Sequence, residues 1–163
     1  MTAAKAIEKP VSASAVVMTE LVLPVHTNSL GSIFGGVIMS WIDICAAICA
    51  QRHSNKTVVT ASIDRLDFVA PVYKGWVVNL KAQVNYTGKT SMEVGVRVDA
   101  ENPSTGETFH TATAYLTFVA LGSNGKPSEI PQLLLQSKED HRRCEEAKKR
   151  RELRIRERTK LTP

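Results

Sequence analysis

One carboxylate constrains this chain more than any other residue. Asp43 lies inside the run Val37-Ile38-Met39-Ser40-Trp41-Ile42-Asp43-Ile44-Cys45-Ala46-Ala47-Ile48-Cys49-Ala50, which opens at Gly35-Gly36 and closes at Gln51-Arg52. A segment this apolar around its circumference is predicted to form a buried helix, spanning roughly residues 35–52. An unpaired carboxylate in such a setting costs several kcal/mol or loses its charge, so an acid kept there has either a chemical task or a partner. The competing structural account is that Asp43 bonds backbone groups or a basic side chain.

The remaining pattern predicts what surrounds the helix. Residues 16–23 are strand-like and stop at Pro24, and 24–36 are rich in turn formers. Segments 58–63, 76–86, 91–100 and 108–121 are rich in β-branched and aromatic residues. Val78, Leu80, Ala82 and Val84 share one side of the pleat, and Val94, Val96 and Val98 another. Turn chemistry at Thr87-Gly88-Lys89 and Asn102-Pro103-Ser104-Thr105-Gly106 joins them. One long apolar helix followed by antiparallel strands gives an α+β fold in which the sheet wraps the helix. Such a sheet is too small to cover itself, and a dimer is expected.

At 163 residues the chain has the size of one domain. Its longest apolar stretch is interrupted by Ser40 and Asp43 and falls short of the roughly 20 residues a bilayer span needs. Residues 1–10 lack the apolar core of a secretory signal. Cys45, Cys49 and Cys144 cannot all pair within one chain and lack zinc spacing, so they read as small core residues of a reduced, cytoplasmic protein. His26, His53, His110 and His141 are scattered without metal-ligand spacing, and Trp41 and Trp76 read as core aromatics.

The net charge of +5 is localised. Residues 1–136 balance ten basic against ten acidic residues, whereas 137–163 hold eleven basic and six acidic. The expected organisation is therefore an N-terminal arm (1–15), a domain (16–136) and a basic helical tail (137–163). Ser137 with Asp140 three residues on forms a helix start related to the capping box. Cys144, Ala147, Leu153 and Ile155 offer a thin stripe for packing. The tail has no Phe, Trp or Tyr on which bases could stack, which argues against nucleic acid. Phosphate loops of the glycine-rich type and a Gly-x-Ser-x-Gly nucleophile elbow are absent from the sequence.

The stretch from Pro24 to Asp43, with Thr27-Asn28-Ser29-Leu30-Gly31 and Ser40-Trp41-Ile42-Asp43 at its ends, resembles the signature of hotdog-fold acyl-CoA thioesterases of the cytosolic acyl-CoA hydrolase type. Val59-Thr60-Ala61-Ser62-Ile63-Asp64 and Gly88-Lys89-Thr90-Ser91-Met92-Glu93-Val94 match as well. The resemblance covers roughly residues 16–158 and implies a long central helix in a curled antiparallel sheet. It implies hydrolysis of fatty acyl-CoA to fatty acid and coenzyme A, with the coenzyme as part of substrate and product rather than a cofactor. Asp43 matches the general base or nucleophile, and Asn28, supplied by the partner subunit, the group that orients thioester or water. Ser32 departs from the commoner Thr, Asp or Asn, which bears on the loop rather than on the catalytic pair.

Thioester hydrolysis also needs donors facing the developing oxyanion. The free amides of a helix opening on Gly35-Gly36 offer them with little side-chain obstruction. A tight loop-to-helix turn accounts for the same glycines, and an Asx-turn for Asn28. By the resemblance, Ala61, Ser62 and Ile63 line the pantetheine arm, Lys89, Thr90, Ser91 and Met92 lie near the nucleotide, and Arg150 or Arg151 reaches a phosphate. The implied assembly is a homodimer, and beyond that a trimer of dimers. Two other readings stand beside this one. A hotdog hydratase or dehydratase usually wants a His beside the acid, and none lies between Phe34 and Arg52. A non-catalytic module binding acyl-CoA, nucleic acid or an acidic partner through the tail is the second.

Overall fold

The computed structural model describes residues 7–64 and 66–161. In chain order its regular elements are β1 (Glu8–Pro10), β2 (Val16–Leu21), α1 (Gly35–Ser54), β3 (Thr57–Ile63), β4 (Asp67–Phe68), β5 (Val77–Thr87), β6 (Ser91–Glu101), β7 (Thr108–Leu121), β8 (Gln132–Leu134) and α2 (Lys138–Leu161). Short 3-10 turns occupy Val11–Ala13 and Pro24–His26. The main sheet runs β2-β5-β6-β7-β3, with β4 also on β7. All of its pairings are antiparallel.

Alternation sets which face of the sheet meets α1. Val78, Leu80, Ala82 and Val84 of β5, Val94, Val96 and Val98 of β6, and Ala114, Leu116 and Phe118 of β7 point inward and are buried. They receive Ile38, Trp41, Ile42, Cys45, Ala46, Cys49 and Ala50, at the i, i+3, i+4 spacing of one helix face. The curled sheet around a central helix is the hotdog arrangement. The expectation of a helix buried all round meets a correction here. Met39 is 41% and Ile44 49% exposed, because the sheet wraps one face of α1 and leaves the other bare.

The cysteines do act as small core residues. All three are free and buried, and burial pushes the Cys45 thiol up to about 11 and Cys49 up to about 12. Trp41 is buried with its ring edge against His26, whereas Trp76 is half-buried and stacks on Phe109.

The N-terminal segment is more structured than an arm. β1 pairs in parallel with β8, and Lys9 Nζ donates to the Arg52 carbonyl at 2.7 Å and to Asn55 Oδ1 at 2.6 Å. A cation there faces the negative end of the α1 dipole. Asn55 stops the helix in the left-handed conformation, at φ 54°.

The tail begins as the sequence predicts. Asp140 N–H donates to Ser137 Oγ at 3.0 Å, and Asp140 Oδ2 accepts from the amides of Gln136 and Ser137. Its packing differs from the expected stripe: Cys144 and Ala147 are buried, but Leu153 and Ile155 are exposed. Among the described residues, two ion pairs to the body hold α2 instead. Arg150 grips Glu93 through Nη2 at 2.7 Å and Nε at 3.1 Å, with its guanidinium 3.6 Å above the Tyr115 ring, and Arg154 Nη1 donates to Asp64 Oδ2 at 2.6 Å.

His53 closes the C-terminal end of the core, fully buried, with Nε2 2.9 Å from the Pro131 carbonyl. Since a carbonyl only accepts, Nε2 carries a proton. Burial lowers its pKa below the ordinary 6.5. The unfolded chain then binds a proton that the folded chain refuses, so stability is lost as pH falls through about 6.5 towards the folded value. Thermal unfolding followed from pH 8 to 5 should show a steeper acid loss in the wild type than in His53→Gln, which keeps a donor for Pro131 and does not titrate.

Candidate active site

Asp43 sits on the flank of α1 rather than in its core. It is half-buried, between the covered face of the helix and the bare one that carries Met39, Ser40 and Ile44. Its carboxylate has one hydrogen-bond partner among the described residues, Thr60, whose hydroxyl donates to Oδ1 at 2.8 Å. Among the described residues no cation pairs with it, and none donates to Oδ2. Neither structural account of the acid, a basic partner or backbone donors, is met. A carboxylate with one oxygen fixed and the other free is placed to take a proton from water.

Thr60 is the site residue that sequence reasoning left out. It is carried by β3, whose register against β7 slips by one residue between Thr60 and Ser62, making Ala61 a bulge. A bulge re-aims the side chains beside it. The sequence signal was a hydroxyl in a strand segment that already matched a family motif, but its pairing with Asp43 depends on the register of β3 over α1. Ala61 and Ile63 are exposed on this edge strand, and the buried Ser62 hydroxyl has no partner among the described residues.

Asn28 forms the Asx-turn that was the alternative account. Its Oδ1 accepts from the Leu30 amide at 2.9 Å and the Ser32 amide at 3.3 Å, while Nδ2 donates to Ser32 Oγ at 3.0 Å. Gly31, at φ 76°, lets the loop turn between them. Ser32, the departure from the commoner pattern, is therefore a working part of this loop. One Nδ2 hydrogen stays available, and no hydrogen bond joins Asn28 to Asp43 within one chain among the described residues.

At the N-terminus of α1, Phe34 is the cap residue and contributes no side-chain bond. The amides of Gly35 and Gly36 have no acceptor among the described residues. A side chain at Gly35 would meet the Phe68 ring at 3.3 Å, but one at Gly36 would meet nothing. Packing within the chain explains the first glycine and not the second. Beside Gly35 lies a cavity of about 180 Å³, walled by Ile33, Ile38, Phe68 and Val72.

The residues assigned to the nucleotide separate. Lys89 pairs with Glu129 at 3.1 Å, both exposed, on a cleft that also holds Lys9 and Lys56. Thr90 and Ser91 are half-buried at the start of β6. The Met92 side chain lies in the core, which leaves its backbone as the part able to meet a nucleotide. Arg151 is exposed, whereas Arg150 is committed to the buried Glu93. Arg150→Ala should leave that carboxylate unpaired and cost about 3–5 kcal/mol of stability, with partial recovery when Glu93→Gln is added. Urea unfolding of the single and double variants measures this.

Comparison with known proteins gives the geometry its context. A model of the thioesterase superfamily matches residues 30–107. A Bacillus subtilis protein, called an uncharacterized acyl-CoA thioester hydrolase, is 45% identical over 127 residues, which are 78% of this chain and 74% of that one. A solved apo-hexameric acyl-CoA thioesterase superposes with a TM-score of 0.90 at 44% identity, over 95% of this chain and 99% of the other. An acyl-CoA hydrolase from Staphylococcus aureus, solved with butyryl coenzyme A and coenzyme A, superposes with a TM-score of 0.88 at 35% identity, over 94% and 93%. That protein has also been solved with an aspartate, a threonine and an asparagine each changed to alanine. With its curled sheet, its central helix and these relatives, the chain belongs to the thioesterase superfamily, among the hotdog-fold acyl-CoA thioester hydrolases.

Proposed function

We propose that this protein hydrolyses fatty acyl-CoA to a free fatty acid and coenzyme A at a site shared by two subunits, with Asp43 as general base. The observation that carries this reading is the half-buried Asp43 carboxylate held, among the described residues, by Thr60 alone, on the bare edge of α1. Asp43 takes a proton from a water molecule, whose oxygen attacks the thioester carbonyl carbon. The tetrahedral oxyanion is met by free amides at Gly35-Gly36, and the C–S bond then breaks, the coenzyme A thiolate leaving and taking up a proton. Gly36 lies seven residues before Asp43, two turns and about 10 Å along the axis, so an attacking water and the carbonyl together lie between base and donors.

Thr60 fixes the rotamer of Asp43 and leaves Oδ2 for the water. The partner subunit's Asn28 supplies the Nδ2 hydrogen that its own loop does not use. Solved S. aureus variants at an aspartate, a threonine and an asparagine fit the trio Asp43, Thr60 and Asn28. The cavity beside Gly35 receives the first carbons of the acyl chain. Ala61, Ser62 and Ile63 line the pantetheine arm from the edge strand, and Lys89, Thr90 and Ser91 lie towards the nucleotide, with exposed Arg151 in reach of a phosphate.

The assembly follows from what one chain leaves uncovered. Met39, Ile44, Val59 and Ile63 present apolar surface around Asp43, on the bare helix face and on edge strand β3. Monomers rarely leave such a contiguous patch open, and a second copy covers it while delivering Asn28. A trimer of these dimers is the assembly that the hexameric relative supports. The buried, free cysteines fit a reducing, cytoplasmic setting.

Asp43→Asn should lower turnover by about two to four orders of magnitude with the fold intact, the usual scale of general-base loss. Thiol release from a panel of acyl-CoAs measures it, and turnover within about threefold of wild type would sink the assignment. Thr60→Val, which keeps the shape and removes the donor, should lower kcat more than it raises KM. Mixing inactive Asp43→Asn and Asn28→Ala chains should restore part of the activity through hybrid dimers. No recovery after verified subunit exchange would place the site within one chain.

A further inference from the structure

The loop that carries Asn28 is closed by its own backbone. Asn28 N–H donates to the Ser32 carbonyl at 2.9 Å, Gly31 N–H to the Asn28 carbonyl at 3.0 Å, and Phe34 N–H to the His26 carbonyl at 3.0 Å. Ile33 N–H ties the loop to the Val72 carbonyl at 2.8 Å. None of these bonds uses the Ser32 side chain. Among the described residues the half-buried Ser32 hydroxyl bonds to Asn28 and to nothing else, so closing the loop does not explain it.

Its two bonds form a ring with the Asn28 amide. Ser32 Oγ accepts from Asn28 Nδ2 at 3.0 Å and donates to Asn28 Oδ1 at 3.2 Å, so it lies against the edge of the amide where oxygen and nitrogen stand side by side. On that edge Nδ2 presents the one of its two hydrogens that is cis to Oδ1. The Leu30 and Ser32 amides both donate to Oδ1, which settles which end of the side chain is oxygen. An amide anchored at its oxygen alone still lets Nδ2 swing. The hydroxyl is the second anchor, and it leaves the hydrogen trans to Oδ1 free, pointing away from the loop amides.

From this we infer that Ser32 is a positioning residue for the proposed reaction: its hydroxyl fixes the plane of the Asn28 amide and so aims the free Nδ2 hydrogen at the neighbouring subunit's site. The inference rests on the reading that Asn28 acts there. Hydrogen bonds weaken steeply as the donor angle closes, so an amide free to swing meets thioester or water in the productive orientation for only part of the time. Ser32→Ala removes both bonds of the ring and keeps every backbone bond of the loop. It leaves no buried orphan, because Asn28 is only half-buried and water can meet the released hydrogen.

Steady-state kinetics of the full-length oligomer on an acyl-CoA substrate test the assignment, with thermal midpoint and oligomer checked for each variant. Ser32→Ala should lower kcat by about three- to tenfold, the scale of one neutral hydrogen bond, with KM within about twofold of wild type. Ser32→Thr, which keeps the hydroxyl, should hold kcat within about twofold of wild type. In the Asn28→Ala background Ser32→Ala should cost nothing more, because the residue acts only through that amide. A Ser32→Ala protein with kcat within about twofold of wild type would overturn the inference. So would an equal loss with and without Asn28, or a Ser32→Thr protein as slow as Ser32→Ala. Full turnover in Asn28→Ala would overturn the reading of the site and this inference with it. Loss in Asn28→Ala with none in Ser32→Ala would overturn the inference alone.

Discussion

Everything in this molecule depends on how closely α1 approaches the sheet. The helix meets β5, β6 and β7 through Cys45, Ala46, Cys49 and Ala50 along its middle, with Ile38, Trp41 and Ile42 nearer its start. Small residues let the helix axis sink towards strands that offer Leu80, Val84, Val94, Val96, Leu116 and Phe118. Each large side chain so buried contributes roughly 1.5–3 kcal/mol. A helix seated this deep can be covered by one curled sheet on one side only. The second side stays apolar and open, and it is the surface on which the proposed assembly seats the next subunit.

That constraint places the proposed base. Asp43 falls on the border between covered and bare faces, where a carboxylate avoids the full penalty of the core and would be shielded by the partner of the proposed dimer. Thr60 reaches it because β3 is the edge strand, running along the exposed flank of the helix, and because the bulge at Ala61 breaks the regular register there. Edge strands and bulges are weak points of a sheet, and the proposed site brings substrate and partner subunit to this one. The Asn28 loop follows the same logic. Its side chain stabilises its own turn and keeps one Nδ2 hydrogen over, the one that the proposed function assigns to the neighbouring subunit's site.

Much of this was legible in the sequence, for identifiable reasons. Period-two alternation in 76–86 and 91–100 and the predominantly apolar run at 37–50 located β5, β6 and α1 to within one or two residues, since both patterns are imposed by burial. Ser137 and Asp140 located the start of α2 because capping is a local interaction. Contacts between distant segments were not legible. The Thr60–Asp43 bond and the pairing of β1 with β8 require three-dimensional register, and no local pattern encodes it. Arg150 shows the limit most clearly. Four adjacent cations looked equivalent in the sequence, but only the residue whose helical position faces Glu93 became a buried pin.

The pin also explains why a helix so poor in apolar residues stays on the body. Leu153 and Ile155 point away, and Cys144 and Ala147 bury too little surface to hold seven turns. The bidentate Arg150–Glu93 pair, its guanidinium over Tyr115, and the Arg154–Asp64 pair one turn later supply directional contacts instead. A buried ion pair adds little net stability over an apolar contact, but it tolerates few alternative positions, so it sets register. Asp64 directly follows β3, and the same two arginines therefore couple the placement of α2 to the strand that holds Thr60. The basic tail is thus part of the scaffold that places the Thr60 strand.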